Sequence, residues 1–258
     1  MKKRVADLQV VHNTPLNDKH FVVTFAAEHV DQMVPGQFAE VLVDGSHDVF
    51  LRRPFSVYDI DPEEGTFSLL IKEVGPGTRI IGKSRPGDIF NVMYPLGQGY
   101  TMPGNGPVLM IGGGYGVAPM QFLGRRLLAA GIKADTLIGG RTSAEILLAE
   151  EFKVFGEVFI ATEDGSLGHQ GMLTAHPAML NGKTYARFYA CGPMGMLKAV
   201  SEIAASMKVD CEVSLENTMA CGFGVCLSCI TGTTTGNRCV CTDGPVFNSM
   251  ELLWQTSV

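Results

Sequence analysis

The chain has 258 residues, enough at roughly 150 residues per domain for one large or two to three small domains. Its hydrophobic fraction of 46% excludes disorder, and no run reaches the ~18 uninterrupted apolar residues of a membrane-spanning helix. With 20 basic against 26 acidic side chains and a net charge of −6, it lacks the cationic footprint that nucleic-acid binding requires.

Only 18% of residues are charged and 31 are glycine, a balance that favours buried interfaces and tight backbone loops over a solvated scaffold. The opening MKKRVADLQV is basic, but Asp7 and Gln9 interrupt any apolar core of a signal peptide. The expectation is a cytoplasmic chain. In a reducing compartment its seven cysteines are not expected to form structural disulfides.

Through about residue 100 the pattern is of short, β-branched and aromatic runs: His20–Phe25, Phe38–Val43, Phe67–Lys72 and Asp88–Val92. Turn signals at Pro35-Gly36, Asp44-Gly45, Glu64-Gly65 and Pro86-Gly87 separate them. Strands so short and closely spaced imply an antiparallel sandwich or barrel, and the expectation is an antiparallel β-barrel.

From Pro107 the rhythm changes. Strands are expected at Val108–Ile111, Lys133–Ile138, Glu157–Ala161 and Tyr185–Ala190. Helices are expected at Met120–Ala130, Glu145–Phe155, Gln170–Leu180 (shortened or kinked at Pro177) and Met194–Met207. This alternation predicts a parallel α/β sheet. The expected division is 1–102 for the barrel, 103–210 for the α/β nucleotide-binding domain and 211–258 for a small C-terminal domain, with a linker at Tyr100–Gly106. Little apolar material remains in the last segment, so something other than side-chain packing is expected to hold it together.

Five of the seven cysteines lie within Cys221–Cys241. Cys221, Cys226 and Cys229 form C-x4-C-x2-C, the spacing of plant-type [2Fe–2S] centres. Gly222 and Gly224 suit a loop that wraps a cluster and aims amides at sulfur. The competing reading is zinc, but zinc modules use two well-separated C-x2-4-C knuckles, whereas here one arm is a clustered triplet. Spacing leaves the fourth ligand open between Cys239 and Cys241. Cys211 reads as a small buried hydrophobe on a strand.

Gly112, Gly113 and Gly114 open GGGYGVAP between a strand and a helix, where backbone amides can approach a pyrophosphate; an ordinary tight turn is the alternative. Cys191, Gly192 and Pro193 end a later strand and form a second loop on the same carboxyl edge of the sheet. In the barrel half, Arg53, Pro54, Phe55 and Ser56 suit a phosphate or flavin ring, although a solvated arginine explains the motif alone. Gly75–Thr78 (GPGT) adds a further phosphate contact.

In order along the chain, RRPFSVYD (52–59), GPGTRIIG (75–82), PLGQGY (95–100), IGGGYGVAPM (111–120), ATEDGSLGHQG (161–171), YACGPMGML (189–197) and SLENTMACGFGVCLSC…CVCTDGPVF (214–247) resemble the ferredoxin-reductase superfamily. Within it the chain is most similar to the electron-transfer subunits of NAD-dependent dihydroorotate dehydrogenase B, over nearly its whole length. The resemblance implies FAD in the barrel, NAD in the α/β domain and a [2Fe–2S] cluster in the tail. By motif, Arg53, Pro54, Phe55 and Ser56 would contact the flavin, Leu70, Ile71 and Lys72 would line it through their backbone, and Gly77 and Thr78 would hold its pyrophosphate. DGPVF marks Cys241 as the fourth iron ligand beside Cys221, Cys226 and Cys229, leaving Cys239 as an extra thiol.

The implied chemistry is hydride exchange between NAD and the flavin N5 and single-electron exchange through the cluster, with no catalytic acid or base in this chain. The implied partner is an FMN-containing catalytic subunit that oxidises dihydroorotate to orotate in pyrimidine biosynthesis, in a heterotetramer of two of each. The rivals are the equivalent subunit of a sulfide dehydrogenase or ferredoxin–NADP transhydrogenase, and a non-enzymatic zinc-binding adaptor. Cys191 either lies near the nicotinamide or is a packed thiol, and Arg141 either meets a 2′-phosphate or caps Glu145, so the choice of NAD over NADP comes from the resemblance alone.

Overall fold

A computed structural model describes residues 2–44, 49–180 and 184–254; the expected Asp44-Gly45 turn lies partly outside them. The first half closes into a six-stranded antiparallel barrel. Its strands are β1 (Arg4–Asn17), β2 (His20–Ala26), β3 (Phe38–Val41), β4 (Arg53–Asp61), β5 (Thr66–Lys72) and β6 (Ile89–Leu96), in the order β1-β2-β5-β4-β3-β6 with β6 paired back onto β1. Helix α1 (Pro76–Gly82) follows β5. Period-two alternation drives closure: Phe21, Val23 and Phe25 of β2 point inward with Phe67, Leu69 and Ile71 of β5. Strand β1 escapes sequence reasoning because only Leu8 and Val10 of its residues are buried.

The second half is a seven-stranded sheet with strands β7 (Val108–Gly113), β8 (Ala134–Gly140), β9 (Val158–Thr162), β10 (His169–Gln170), β11 (Arg187–Cys191) and β12 (Asp210–Ser214) running parallel. A hairpin of β13 (Ile230–Thr233) and β14 (Gly236–Cys239) precedes β15 (Val246–Asn248), which adds antiparallel to β12. The order is β10-β9-β8-β7-β11-β12-β15. Sequence order therefore runs one way from β7 to β10 and the other way from β11 outward, which opens a crevice at the carboxyl ends of β7 and β11. Helix α2 (Ala118–Ala129) joins the halves: Phe122 enters the barrel core and Arg125 meets Asp59 of β4 at 2.7 Å.

Three expectations change. Glu145–Phe155 is not an α-helix but two single 3₁₀ turns, Ser143–Glu145 and Glu151–Val154, because Leu148 between them takes φ 61°. The apolar spacing is satisfied by packing instead, with Leu147, Phe152 and Phe155 buried. Gln170–Leu180 splits into the end of β10, a 3₁₀ turn at Leu173–Ala175 and a one-turn helix α3 (Pro177–Leu180), since His176 is extended before Pro177. The remaining helix, α4 (Met194–Met207), forms as expected.

The third change concerns the tail. Leu215, Cys229, Val240, Cys241, Phe247 and Leu252 all join the core of the sheet, beside Leu109, Phe188 and Val213. Side-chain packing does hold this segment, through β15. Cys211 is buried on β12 as expected. No helix among the described residues is long and apolar enough to cross a membrane. Phe247→Ala should cost about 3–5 kcal/mol, the usual penalty for an emptied aromatic site. Limited proteolysis is expected to cut the variant within the tail first, with the barrel and the rest of the sheet still protected.

Candidate functional site

Two cavities meet where the barrel abuts the sheet. The first, of about 370 Å3, has a barrel wall of Arg53, Pro54, Phe55, Ser56, Leu70 and Lys72, with Thr78 at one end. Its opposite wall is Tyr115, Ala118 and Pro119 together with the unbroken stretch Ser214–Met219. The second, of about 490 Å3, lies on the crevice and is edged by Gly113, Gly114, Tyr115, Gly139, Gly140, Arg141, Pro193 and Met196.

The structure thus assembles most of the sequence-predicted residues. Ile71 is the exception on β5: its side chain is buried inside the barrel, as alternation demands, while Leu70 and Lys72 face the cavity. Gly77 lies against the Arg53 side chain, where a Cβ would stand 3.4 Å from Nε. The Thr78 hydroxyl accepts from the amides of Val74 and Gly75, so it caps its own loop. Gly112 is paired with Cys191 across β7 and β11, behind the cavity edge. Gly116 is where this crossing demands glycine, because a Cβ there would lie 2.5 Å from the Cys191 carbonyl oxygen.

Cys191 lines neither cavity. Its buried thiol lies 3.9 Å from Glu216 Oε1, and the Tyr115 hydroxyl donates to Glu216 Oε2 at 3.2 Å. Burial raises Glu216 above the ordinary carboxyl range and Cys191 well above that of a free thiol. Arg141 caps Glu145: its guanidinium donates to Oε1 at 2.7 Å and its amide to Oε2 at 3.0 Å. With Lys72 also 3.5 Å away, these bonds draw Glu145 down to about 2. Sequence reasoning missed Tyr115, Glu216 and the rest of Ser214–Met219 as a cavity wall. The available signal was position, since a segment leaving the carboxyl end of a parallel strand lies at the ligand edge of the sheet.

Residue Cys221 follows that wall after a single further residue. The thiols come in two pairs: the Cys226 amide lies 3.5 Å from Cys221 Sγ, and the Cys241 amide 3.4 Å from Cys229 Sγ. Among the described residues no three His, Cys, Asp or Glu side chains converge on one metal-ion position. Paired thiols suit a two-iron centre, in which each iron takes two protein ligands, better than zinc, which gathers four around one ion. The Ser228 hydroxyl chiefly lowers the exposed Cys226 thiol to about 6, so it is ready to ligate as thiolate. Cys239 lies beside Cys229 as well, at the end of β14.

Comparison with known proteins agrees with this geometry. Residues 216–253 match the iron–sulfur cluster binding domain of dihydroorotate dehydrogenase B, and residues 110–202 match an oxidoreductase NAD-binding domain. The electron transfer subunit of dihydroorotate dehydrogenase B (NAD(+)) from Geobacillus thermodenitrificans is 36% identical, over 95% of this chain and 97% of that protein. The chain belongs to this family. The corresponding subunit from Shouchella clausii is also 36% identical, over 98% of this chain and 100% of that protein. Among solved structures, NADH-dependent reduced ferredoxin-NADP oxidoreductase superposes with a TM-score of 0.86 at 29% identity, over 96% of this chain and 90% of that one. Like other members, the chain is an oxidoreductase subunit that transfers electrons, with a barrel, an NAD-binding sheet and an iron–sulfur tail.

Beneath the cysteine loop lies a buried acid. Glu40 of β3 is fully buried, and neither carboxylate oxygen has a hydrogen-bond partner among the described residues. A Cβ at Gly222 would stand 2.7 Å from Glu40 Oε2, which explains glycine in the loop. Burial raises Glu40 above the ordinary 4.5, the Arg52 guanidinium opposes this, and Cys226 adds to it. A carboxyl raised in the fold contributes stability fully only below its unfolded value, and the contribution is lost as pH rises through the folded one. Glu40→Gln, which stays neutral, should melt higher than wild type at about pH 8, with the gap closing towards about pH 4.5. A thermal-melt series across that range checks the sign.

Proposed function

We propose that this subunit carries electrons from an FMN-containing dihydroorotate-oxidising subunit, through a [2Fe–2S] cluster and FAD, to NAD+. The single observation that carries this reading is the order of the sites: the crevice cavity touches the barrel cavity, and the barrel cavity shares the peptide that continues into the cysteine loop. Nicotinamide exchanges hydride, an iron–sulfur cluster exchanges single electrons, and a flavin does both, so the flavin belongs between them.

In this reading Arg53, Pro54, Phe55 and Ser56 hold the flavin and its ribityl chain. Leu70, Ile71 and Lys72 line it through their backbone, and the amides of Gly77 and Thr78 beside Arg53 hold its pyrophosphate. Gly112, Gly113 and Gly114, with Cys191, Gly192 and Pro193 at the neighbouring strand end, receive NAD. Cys221, Cys226, Cys229 and Cys241 hold the cluster. The chain's own contribution is orientation and exclusion of water rather than proton transfer.

A docking face is present where the electrons would enter. Phe223, Val225 and Leu227 stand exposed on the cysteine loop itself, and such apolar side chains around a redox centre suit a protein partner. The assembly proposed is a heterotetramer of two of each subunit. All seven cysteines are free, in keeping with a cytoplasmic setting.

Anaerobically purified protein should show flavin and iron–sulfur absorbance. Cys226→Ser is expected to lose the iron chromophore while retaining flavin and NADH-to-dye activity, and it should lose NAD+-linked dihydroorotate oxidation when mixed with the catalytic subunit. Unchanged iron content would overturn the ligand assignment. Failure of wild type to support that oxidation with a competent partner would favour the transhydrogenase or sulfide dehydrogenase type of partner instead.

A further inference from the structure

The two cavities share only two lining residues, Lys72 and Tyr115. With flavin in one and nicotinamide in the other, a hydride must pass between them. That requires reacting atoms about 3–3.5 Å apart, with no side chain between them. Tyr115 is nonetheless on the dividing wall. Its hydroxyl is tied to Glu216 Oε2 at 3.2 Å, and its ring lies under the Lys72 ammonium, 5.7 Å from the centroid. Lys72 is held in turn by Glu145 at 3.5 Å.

These ties are weak enough to break. Tyr115 keeps nearly half its surface exposed, at 43%, and follows Gly114, whose φ is 56°. The backbone there is anchored by the close crossing of Gly116 over Cys191, so motion is confined to the side chain. A phenol needs only a rotation about χ1 to leave the wall.

We propose, as an extension that rests on the cofactor order of the proposed function, that Tyr115 is a shutter between the flavin and nicotinamide cavities. Latched to Glu216 it covers the flavin's nicotinamide side, and nucleotide binding must displace it. The latch lowers apparent affinity for the nicotinamide half of the dinucleotide, because only the unlatched fraction is competent. It leaves the adenosine half untouched, since that half binds farther along the crevice.

The test compares wild type, Tyr115→Phe and Tyr115→Ala, each purified with its flavin, by calorimetric titration with NAD+ and, separately, with ADP-ribose, which lacks the nicotinamide. Losing one hydrogen bond to a carboxyl group should tighten NAD+ binding by up to about tenfold in Tyr115→Phe, and by at least as much in Tyr115→Ala. ADP-ribose affinity should stay the same in all three. Unchanged or weaker NAD+ binding in both variants overturns the shutter, as does a parallel change for ADP-ribose, which marks a merely structural residue. Protein that purifies without flavin overturns the reading of the cavity itself, and with it the shutter.

Discussion

Much of this molecule hangs on where the chain goes after β12. The Leu215 amide bonds the Pro245 carbonyl at 2.9 Å, and Gln98, just past the last barrel strand, donates to the neighbouring Gly244 carbonyl at 2.6 Å. Sheet, barrel and tail are thereby tied at one point. Ser214–Met219 cannot leave without breaking the β12–β15 pairing on one side and the Gln98 tie on the other. That constraint turns three folding units into one continuous row of sites, because the same short peptide closes the barrel cavity and then delivers Cys221.

The chemistry of the row follows from differing polarity. The crevice offers glycine amides and charged side chains at the carboxyl ends of parallel strands, where an anionic dinucleotide is at home. The barrel cavity is flatter and more apolar, walled by Phe55, Leu70 and Tyr115. The cysteine loop is open to solvent on its Cys226 side and buried on its Cys229 and Cys241 side. One half of the cluster site therefore faces the protein, and the other faces a partner.

The sequence was most legible where chemistry dictates residue type. Cysteine spacing, the glycine run after β7 and the Arg53–Ser56 motif each needed particular side chains, and the structure brings them together. It was least legible where packing rather than backbone preference decides. Leu147, Phe152 and Phe155 have helical spacing yet are buried from a broken loop, and β1 hides behind a largely polar face. The tail misled for a related reason. Its apolar residues are few, but Val240 and Phe247 are placed where the sheet already supplies the other half of a core. Glu40 gave no local signal, since only the tertiary fold sets the cysteine loop over it.

Sharing Lys72 and Tyr115 between neighbouring cavities has a thermodynamic corollary. A ligand in either cavity that shifts these two side chains alters the free energy of filling the other, and the effect must be equal in both directions. Whatever a dinucleotide does to the hold on the flavin, the flavin does to the hold on the dinucleotide. The dividing wall is therefore also a coupling element, through which loading one carrier reports to the next before any electron has moved.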